Sequence, residues 1–460
     1  MNVFPTPESV DSSLLRLPNE LLLEILTLAI GRKNTQLDND RSKDHWTAWS
    51  LTQVCKRISE IAYPLLYRNI DFMSPTLCSL LPISTAGNQL SHSLYANPSL
   101  GAMCKELVIW IPPIEDKWIG NMGDNDYQLC EYVAATDLLT KLPNVQNLES
   151  CNAVENSDHV WRMLEAAFDN MPRITDLTIS QDYGSIFIER LFTPATRFPA
   201  LRRLHIVGCL AFSSSNIADA AWFQAPLAPL TALNIHDFAG SPSDFATFLS
   251  WPQALSDLTF HPDKATFTLS DFQAILAPHQ STLKKLYVGD LGRTNNRLDL
   301  TDFPKLGTLN FPALAHRETL GDHARLLAAP ALRSFSWHFG VDQGLNGLEA
   351  FQQPEADALR AFVKGVLACG CPLRRVEIWF LGKAEFSIPI AKDRDAVEKM
   401  MRAIMRYPWD WMDELRDDFE KLGVLLTYDP PFGEPRSVTR EQYEEEFQRW
   451  TSGNGGESES

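Results

Sequence analysis

At 460 residues the chain is too long for one ordinary hydrophobic core, so length alone calls for several domains or a repeat architecture. With 45% hydrophobic and 22% charged residues it has the composition of a soluble globular protein. The formal net charge of −17 repels phosphate backbones and anionic lipid surfaces, and no basic patch offsets it, so neither nucleic acid nor a membrane is an expected partner. Eight scattered cysteines form no even framework, and the closest pair, Cys369 and Cys371, lacks a second ligand pair at metal-site spacing. No metal and no cofactor is expected. The longest apolar run, residues 21–30, is interrupted by Glu24 and too short to span a bilayer, and no leader-like segment precedes it, which points to a cytoplasmic or nuclear setting.

Residues 1–13 carry two prolines and small polar residues and read as a flexible lead. Order is expected from about Leu15. Pro18 suits a first helical turn, where its missing N–H costs nothing, and Glu20 complements the positive helix end. Leu21, Ile25 and Leu28 fall on one face of this helix, and Leu22, Leu26 and Ala29 on the next, giving an apolar arc wider than a single packed surface needs. One face can pack internally; the other calls for a partner. A second amphipathic stretch runs from Trp46 through Trp49, Leu51, Val54, Ile58, Ile61 and Leu65, with Pro64 expected to disturb its end.

The strings Leu17-Pro18-x-Glu20-Leu21-Leu22-x-x-Ile25-Leu26, Leu51-x-x-Val54-Cys55-Lys56-Arg57-Ile58 and Pro64-Leu65-Leu66-Tyr67-Arg68 resemble, in that order, a fungal-type F-box. The resemblance assigns residues 14–72 to that motif. It implies docking onto a Skp-type adaptor and, through it, onto a cullin scaffold, with Leu17, Pro18, Leu21, Leu22, Ile25, Val54 and Ile58 supplying the contacts or their support. The polar stretch 31–44 is longer than the family's usual link between its first two helices.

From about residue 104 an apolar-x-x-apolar-x-apolar pattern recurs, usually just after a proline. Clear copies begin at Val145, Ile174, Leu201, Leu230, Leu255, Leu283, Leu306, Leu332 and Leu373. Between 174 and 332 the steps are 27, 29, 25, 28, 23 and 26 residues, inside the leucine-rich repeat window of about 20–29. Each copy predicts a short strand, and the apolar stretches between them, such as 160–168 and 272–276, predict return helices. The fold expected is α/β: a helical F-box, then a leucine-rich repeat solenoid over residues 100–385 with a curved parallel sheet and outer helices. A C-terminal helical cap over 386–450 and a disordered tail over 451–460 complete it. Only Cys209 occupies the position where the family carries a turn asparagine or cysteine, so irregular loops are expected. An insertion is expected over 340–354, a helix over about 355–368, a helical pair over 393–422 and an acidic helix over 439–450.

Strand residues turned away from the core should line a binding face. Aromatic and arginine side chains anchor protein contacts most often, which singles out Trp110, Arg203, His205, His236, Tyr287, Arg375 and Trp379 as target-binding candidates. His236 and His261 occupy equivalent positions in adjacent repeats, about 5 Å apart, with no third metal ligand in view. No nucleophile elbow, phosphate-binding glycine loop or His-Glu-x-x-His helix occurs, so no catalytic residue is assigned. The resemblances together imply a non-catalytic substrate receptor of a Skp-cullin-F-box ubiquitin ligase with an unknown protein target. A repeat scaffold outside any ligase is the alternative.

Overall fold

Every copy of the apolar pattern becomes a strand, because its alternate residues can all be buried on one side while backbone groups pair laterally. The computed structural model describes residues 13–30, 47, 49–71, 83–111, 124–152, 158–187, 199–211, 229–262, 267–289, 298–312, 320–339, 350–380, 408–428 and 445. They belong to two units, one of residues 1–184 and 197–201, the other of 185–196 and 202–460.

The first unit runs α1 (Asn19–Ile30), α2 (Lys56–Arg68), β1 (Asn69–Asp71), α3 (Ile83–Ala96), α4 (Pro98–Gly101), β2 (Glu106–Ile111), α5 (Asp124–Leu139), β3 (Asn147–Asn152), α6 (Asp158–Asn170) and the start of β4 (Asp176–Phe187). Its strands pair in parallel in chain order.

The second unit holds β5 (Arg203–Ala211), β6 (Ala232–Phe238), α7 (Pro242–Leu249), β7 (Asp257–Pro262), α8 (Leu269–Leu276), β8 (Lys285–Val288), β9 (Thr308–Pro312) and α9 (Ala324–Leu327). After these come β10 (Ser334–Phe339), α10 (Gln353–Ala368), β11 (Arg375–Phe380), α11 (Pro408–Glu420) and β12 (Leu425–Thr427). Its strands are parallel to their neighbours, again in chain order.

The first apolar residue of each copy lies just before its strand and is buried, as with Val145, Leu230, Leu255, Leu283, Leu306 and Leu332. At most of the strand starts the carbonyl just before the strand accepts two backbone N–H groups from the next repeat. Lys284 O takes them from Gly307 at 2.9 Å and Thr308 at 3.1 Å, and Gly307 O from Arg333 at 2.9 Å and Ser334 at 3.0 Å. This shared acceptor holds successive repeats in register without an asparagine ladder. Helices start on local caps: Ser241 Oγ accepts from Asp244 N at 3.2 Å while Asp244 Oδ2 accepts from Ser241 N at 2.9 Å, and Thr268 with Asp271 repeats the box at α8. Between sheet and helices Phe238, Phe245, Phe260, Phe267 and Phe272 form a buried aromatic cluster, with the Phe245 and Phe260 rings stacked at 4.0 Å.

Strands β5, β6 and β7 carry bulges. Between the register pairs 206/235/260 and 210/238/262, β5 holds three residues, β6 two and β7 one. The surplus is absorbed by left-handed backbone at Gly208 (φ 115°) and Asp237 (φ 62°), Asp being one of the few side chains that tolerates it.

Several local expectations change. Pro64 lies inside α2 rather than ending it; it forfeits one hydrogen bond, and the burial of Ile58 and Ala62 holds the helix together. The stretch 46–65 is not one helix, because Gln53 and Val54 turn on 3.0 and 3.3 Å bonds to Ser50 O and Leu51 O before α2 begins. Strands β1 and β12 arise where the sequence pattern signalled none. The helix expected at 355–368 begins at Gln353, with Pro354 in its first turn rather than in the insertion. Residues 1–12, 31–46, 340–349, 381–407 and 429–460 apart from 445, which carry the lead, the long link, most of the insertion, part of the helical pair, the acidic helix and the tail, lie outside the described residues. Among the described residues no helix is long and apolar enough to cross a membrane.

Candidate functional site: an apolar helix face and a sheet face of stacked rings

In the first unit, α1 and α2 share a small core in which Leu26, Ile58 and Ala62 are buried and Leu15, Leu51, Cys55, Ile61 and Leu65 pack around them. Leu22 is 0% exposed and Leu26 3%, whereas Leu21 is 46%, Ile25 39% and Leu28 53% exposed. The i, i+4, i+7 spacing of the exposed three makes one continuous apolar stripe on the outer side of α1. Val54, in the turn before α2, is also exposed, as is Pro18, while Leu17 is half-buried. Two residues grouped with the adaptor contacts, Leu22 and Ile58, are buried core side chains. Ala29, expected beside Leu22 and Leu26, is exposed.

Arg57 fixes the start of α1. Its Nη2 donates to Leu17 O at 2.6 Å and to Asn19 Oδ1 at 2.8 Å, its Nε to Asn19 Oδ1 at 3.1 Å, and its Nη1 to Leu15 O. The guanidinium's planar fork suits several converging acceptors. The sequence string containing Arg57 was visible, but not this role, since a long-range bond to carbonyls leaves no periodic trace.

In the second unit, the sheet face opposite the phenylalanine cluster carries three rows set by the strand register. The first comprises Arg203, Ala232, Asp257, Lys285, Thr308, Ser334 and Arg375; the second His205, Asn234, Thr259, Tyr287, Asn310, Ser336 and Glu377. The third includes His236, His261, Gly289, His338 and Trp379, the last two being register partners. Rings from the second and third rows touch in sequence. His205 lies 5.6 Å from His236, which stacks on His261 at 4.4 Å; His261 meets Tyr287 at 4.7 Å, Tyr287 meets His338 at 5.0 Å, and His338 stacks on Trp379 at 4.7 Å. Tyr287 Oη and His338 Nδ1 share a 3.2 Å hydrogen bond. At Gly289 an added Cβ would come within 2.5 Å of the His261 ring, so glycine makes room for that imidazole.

The charged members of the face are paired. Lys285 Nζ lies 3.2 Å from Asp257, and Arg375 Nη2 lies 2.6 Å from Glu377, whose other oxygen accepts from Ser336 Oγ at 3.0 Å and Trp379 Nε1 at 3.2 Å. Burial, and secondarily the neighbouring His236, pushes His205 and His261 down to about 4. Burial, with His261 nearby, pushes His338 down to about 3. These three rings are therefore neutral at physiological pH.

The face thus brings together His205, His236, Tyr287 and Trp379 from the expected contact residues, with His261 and His338, also expected on this face from strand alternation, between them. Arg203 and Arg375 stand at its exposed edge row. Trp110 belongs to the first unit, half-buried on β2 opposite Cys151. The spacing expected for His236 and His261 is met, but their rings lie only 11° from parallel. Lone pairs in parallel planes do not converge on one point, and among the described residues no group of three or more His, Cys, Asp or Glu side chains could hold a metal ion.

No family model and no curated protein matches the chain. Among solved structures it is similar to a chain of the yeast Rad7 and Elc1 complex, at 12% sequence identity and a TM-score of 0.37, over 80% of this chain and 91% of that one.

Proposed function

We propose that the chain is a substrate-recognition subunit of a Skp-cullin-F-box ubiquitin ligase. In this reading α1 docks a Skp-type adaptor through Leu21, Ile25 and Leu28, with Val54 and Pro18 at the margin, and the adaptor connects it to a cullin. The observation that carries the reading is the division of α1 into a buried side and an equally apolar exposed side. A helix that needed only to cover its own core would not expose three large aliphatic residues in line.

The ring-lined sheet face of the second unit is the target-binding surface in the same reading, since aromatic side chains give large contact area at low entropic cost. The chain supplies no nucleophile. Its contribution is positional: it holds a target beside a conjugating enzyme and raises the effective concentration of the target's lysines.

The test is a pull-down from reducing lysate with the intact chain and with a Leu21→Asp, Ile25→Asp variant, probed for a Skp-type adaptor and a cullin. Capture of both by the intact chain and of neither by the variant is the expected result. If the intact chain captures no adaptor, the protein is a repeat scaffold working outside a ligase.

A further inference from the structure

The sequence scatters Lys284, Lys305, Arg333 and Arg374 over four repeats, and the fold lines them up along the strand starts of the second unit's sheet. Backbone bonds set the line: Lys284 O accepts from Gly307 N, Gly307 O from Arg333 N, and Arg333 O from Arg374 N, each at 2.9 Å. Lys305 stands two residues before Gly307, in the turn into β9, and brings a cation to the one repeat whose place in the line has no side chain. Lys285 and Arg375 follow in the next row, on β8 and β11. All six are exposed.

Asp257 pairs with Lys285 and Glu377 with Arg375. Lys284, Lys305, Arg333 and Arg374 form no ion pair among the described residues, and Asp302, three residues before Lys305, is the exposed carboxylate of that turn. Like charges gathered on neighbouring strands repel, so this rim costs the fold stability unless an anion from outside joins it. The first unit differs: its strand-start line holds Arg68, Lys105, Gln146 and Thr175, with Glu106 and Asp176 beside them, so both signs are present. The chain's net charge of −17 does not cancel the rim, because charges farther off than about 8 Å are largely screened at physiological ionic strength.

The size and setting of the rim select the ligand. Strands β8 to β11 span three strand spacings, about 14 Å, the length of about four residues of an extended chain. Farther along the same strands lie the rings of Tyr287, His338 and Trp379, against which apolar side chains of a bound peptide can pack. A nucleic-acid backbone would run past the rim onto a chain whose overall charge repels it; a short acidic segment need not. We propose that the rim binds a short acidic segment of a partner protein, its carboxylates set on Lys284, Lys305, Arg333 and Arg374. The inference rests on reading the adjoining ring face as the target surface and names the chemistry of that target.

The experiment titrates the full chain into fluorescein-labelled Gly/Ser peptides bearing glutamates, glutamines or lysines at alternate positions, and follows fluorescence anisotropy. The glutamate peptide is expected to bind about tenfold tighter than the glutamine peptide and to weaken as sodium chloride is raised. Arg333→Gln and Arg374→Gln should each weaken it about threefold, the scale of an exposed ion pair, while Lys105→Gln in the first unit leaves it unchanged. An Arg333→Glu, Arg374→Glu chain should bind the lysine peptide more tightly than the native chain does, a gain that misfolding cannot produce. Equal binding of the glutamate and glutamine peptides, or an affinity indifferent to both arginines, overturns the proposal. So does a single-stranded DNA of the same length that binds more tightly than the glutamate peptide, since the rim would then be a surface for a phosphate backbone. If the glutamate peptide fails while the intact chain, but not a Tyr287→Ala, Trp379→Ala variant, still captures a target alongside the adaptor, this inference falls and the receptor reading stands. If the glutamate peptide binds as stated but no adaptor is captured, the receptor reading falls and this one stands.

Discussion

Arg57 and Leu17, forty positions apart, are joined by a 2.6 Å bond from the guanidinium to a carbonyl at the entry to α1. With its bonds to Leu15 and Asn19, Arg57 fixes the segment that leads into the exposed apolar stripe. Hydrogen bonds from a charged donor contribute about 1.5–3 kcal/mol when partly shielded. Arg57→Ala is therefore expected to destabilise the α1–α2 pair by about 2 kcal/mol, read as roughly thirtyfold faster hydrogen exchange in α1. Arg57→Lys should recover only part of this, because one ammonium cannot reproduce a planar fork that meets three acceptors. Unchanged exchange in the alanine variant would remove the clamp from the account.

Adjacent residues of α1 should respond in opposite ways. Leu26 is buried against Ile58 and Ala62, so Leu26→Ala is expected to cost about 2–4 kcal/mol through lost burial and a cavity. Ile25 is 39% exposed, so Ile25→Ala should change stability by less than about 0.5 kcal/mol. Exchange rates in α1 separate the two, while adaptor capture should suffer from the Ile25 change as well. Equal loss of stability in both variants would mean that the exposed stripe is part of the core.

What sequence could and could not give follows from periodicity. The strands from Val145 to Leu373 were legible because burial on one sheet face imposes alternation, and the double apolar arc of α1 was legible because Leu21, Ile25 and Leu28 repeat at helical spacing. Strands β1 and β12 are three residues each, too short to show alternation. The side-chain identities of the ring face were readable, and so was the equivalence of His236 and His261. The contacts between Tyr287 and His338 were not, because those residues sit two strands and one row apart, an offset that depends on register. The bulge at Asp237 was equally hidden, since one aspartate carries no signature of a left-handed backbone.

Gly289 offers a local test of the ring series. A methyl group there would meet His261 Nδ1 at 2.5 Å and the His261 Cα at 3.0 Å, so both ring and strand must shift. Gly289→Ala is expected to destabilise the second unit by about 1–3 kcal/mol, as overpacking does. It should also move the His261 ring resonances in NMR spectra while leaving those of His279, which is buried elsewhere with Nε2 2.7 Å from Leu249 O, in place. An alanine variant with wild-type stability and an unmoved His261 would contradict the close approach.

The same rings make stability depend on pH in a defined direction. In the unfolded chain each histidine takes up a proton near 6.5; in the folded chain His205 and His261 do so only near about 4 and His338 near about 3, because burial opposes the charge. His279 is lowered by burial too. Above pH 6.5 both states are neutral and the stability is fully present. As pH falls from 6.5 towards 4 the unfolded chain binds protons that the folded chain refuses, so stability falls. Asp137 and Asp418, lowered from 3.8 by hydrogen bonds from Lys141 and Arg360, add a loss of the same sign only at lower pH. The window between 6.5 and 4 therefore reports on the imidazoles. Melting temperature should decline steadily across it, and His261→Gln with His338→Gln should flatten the decline by on the order of 1 kcal/mol per ring, the rings being only partly buried. A slope unaffected by both substitutions would place the acid sensitivity elsewhere in the chain.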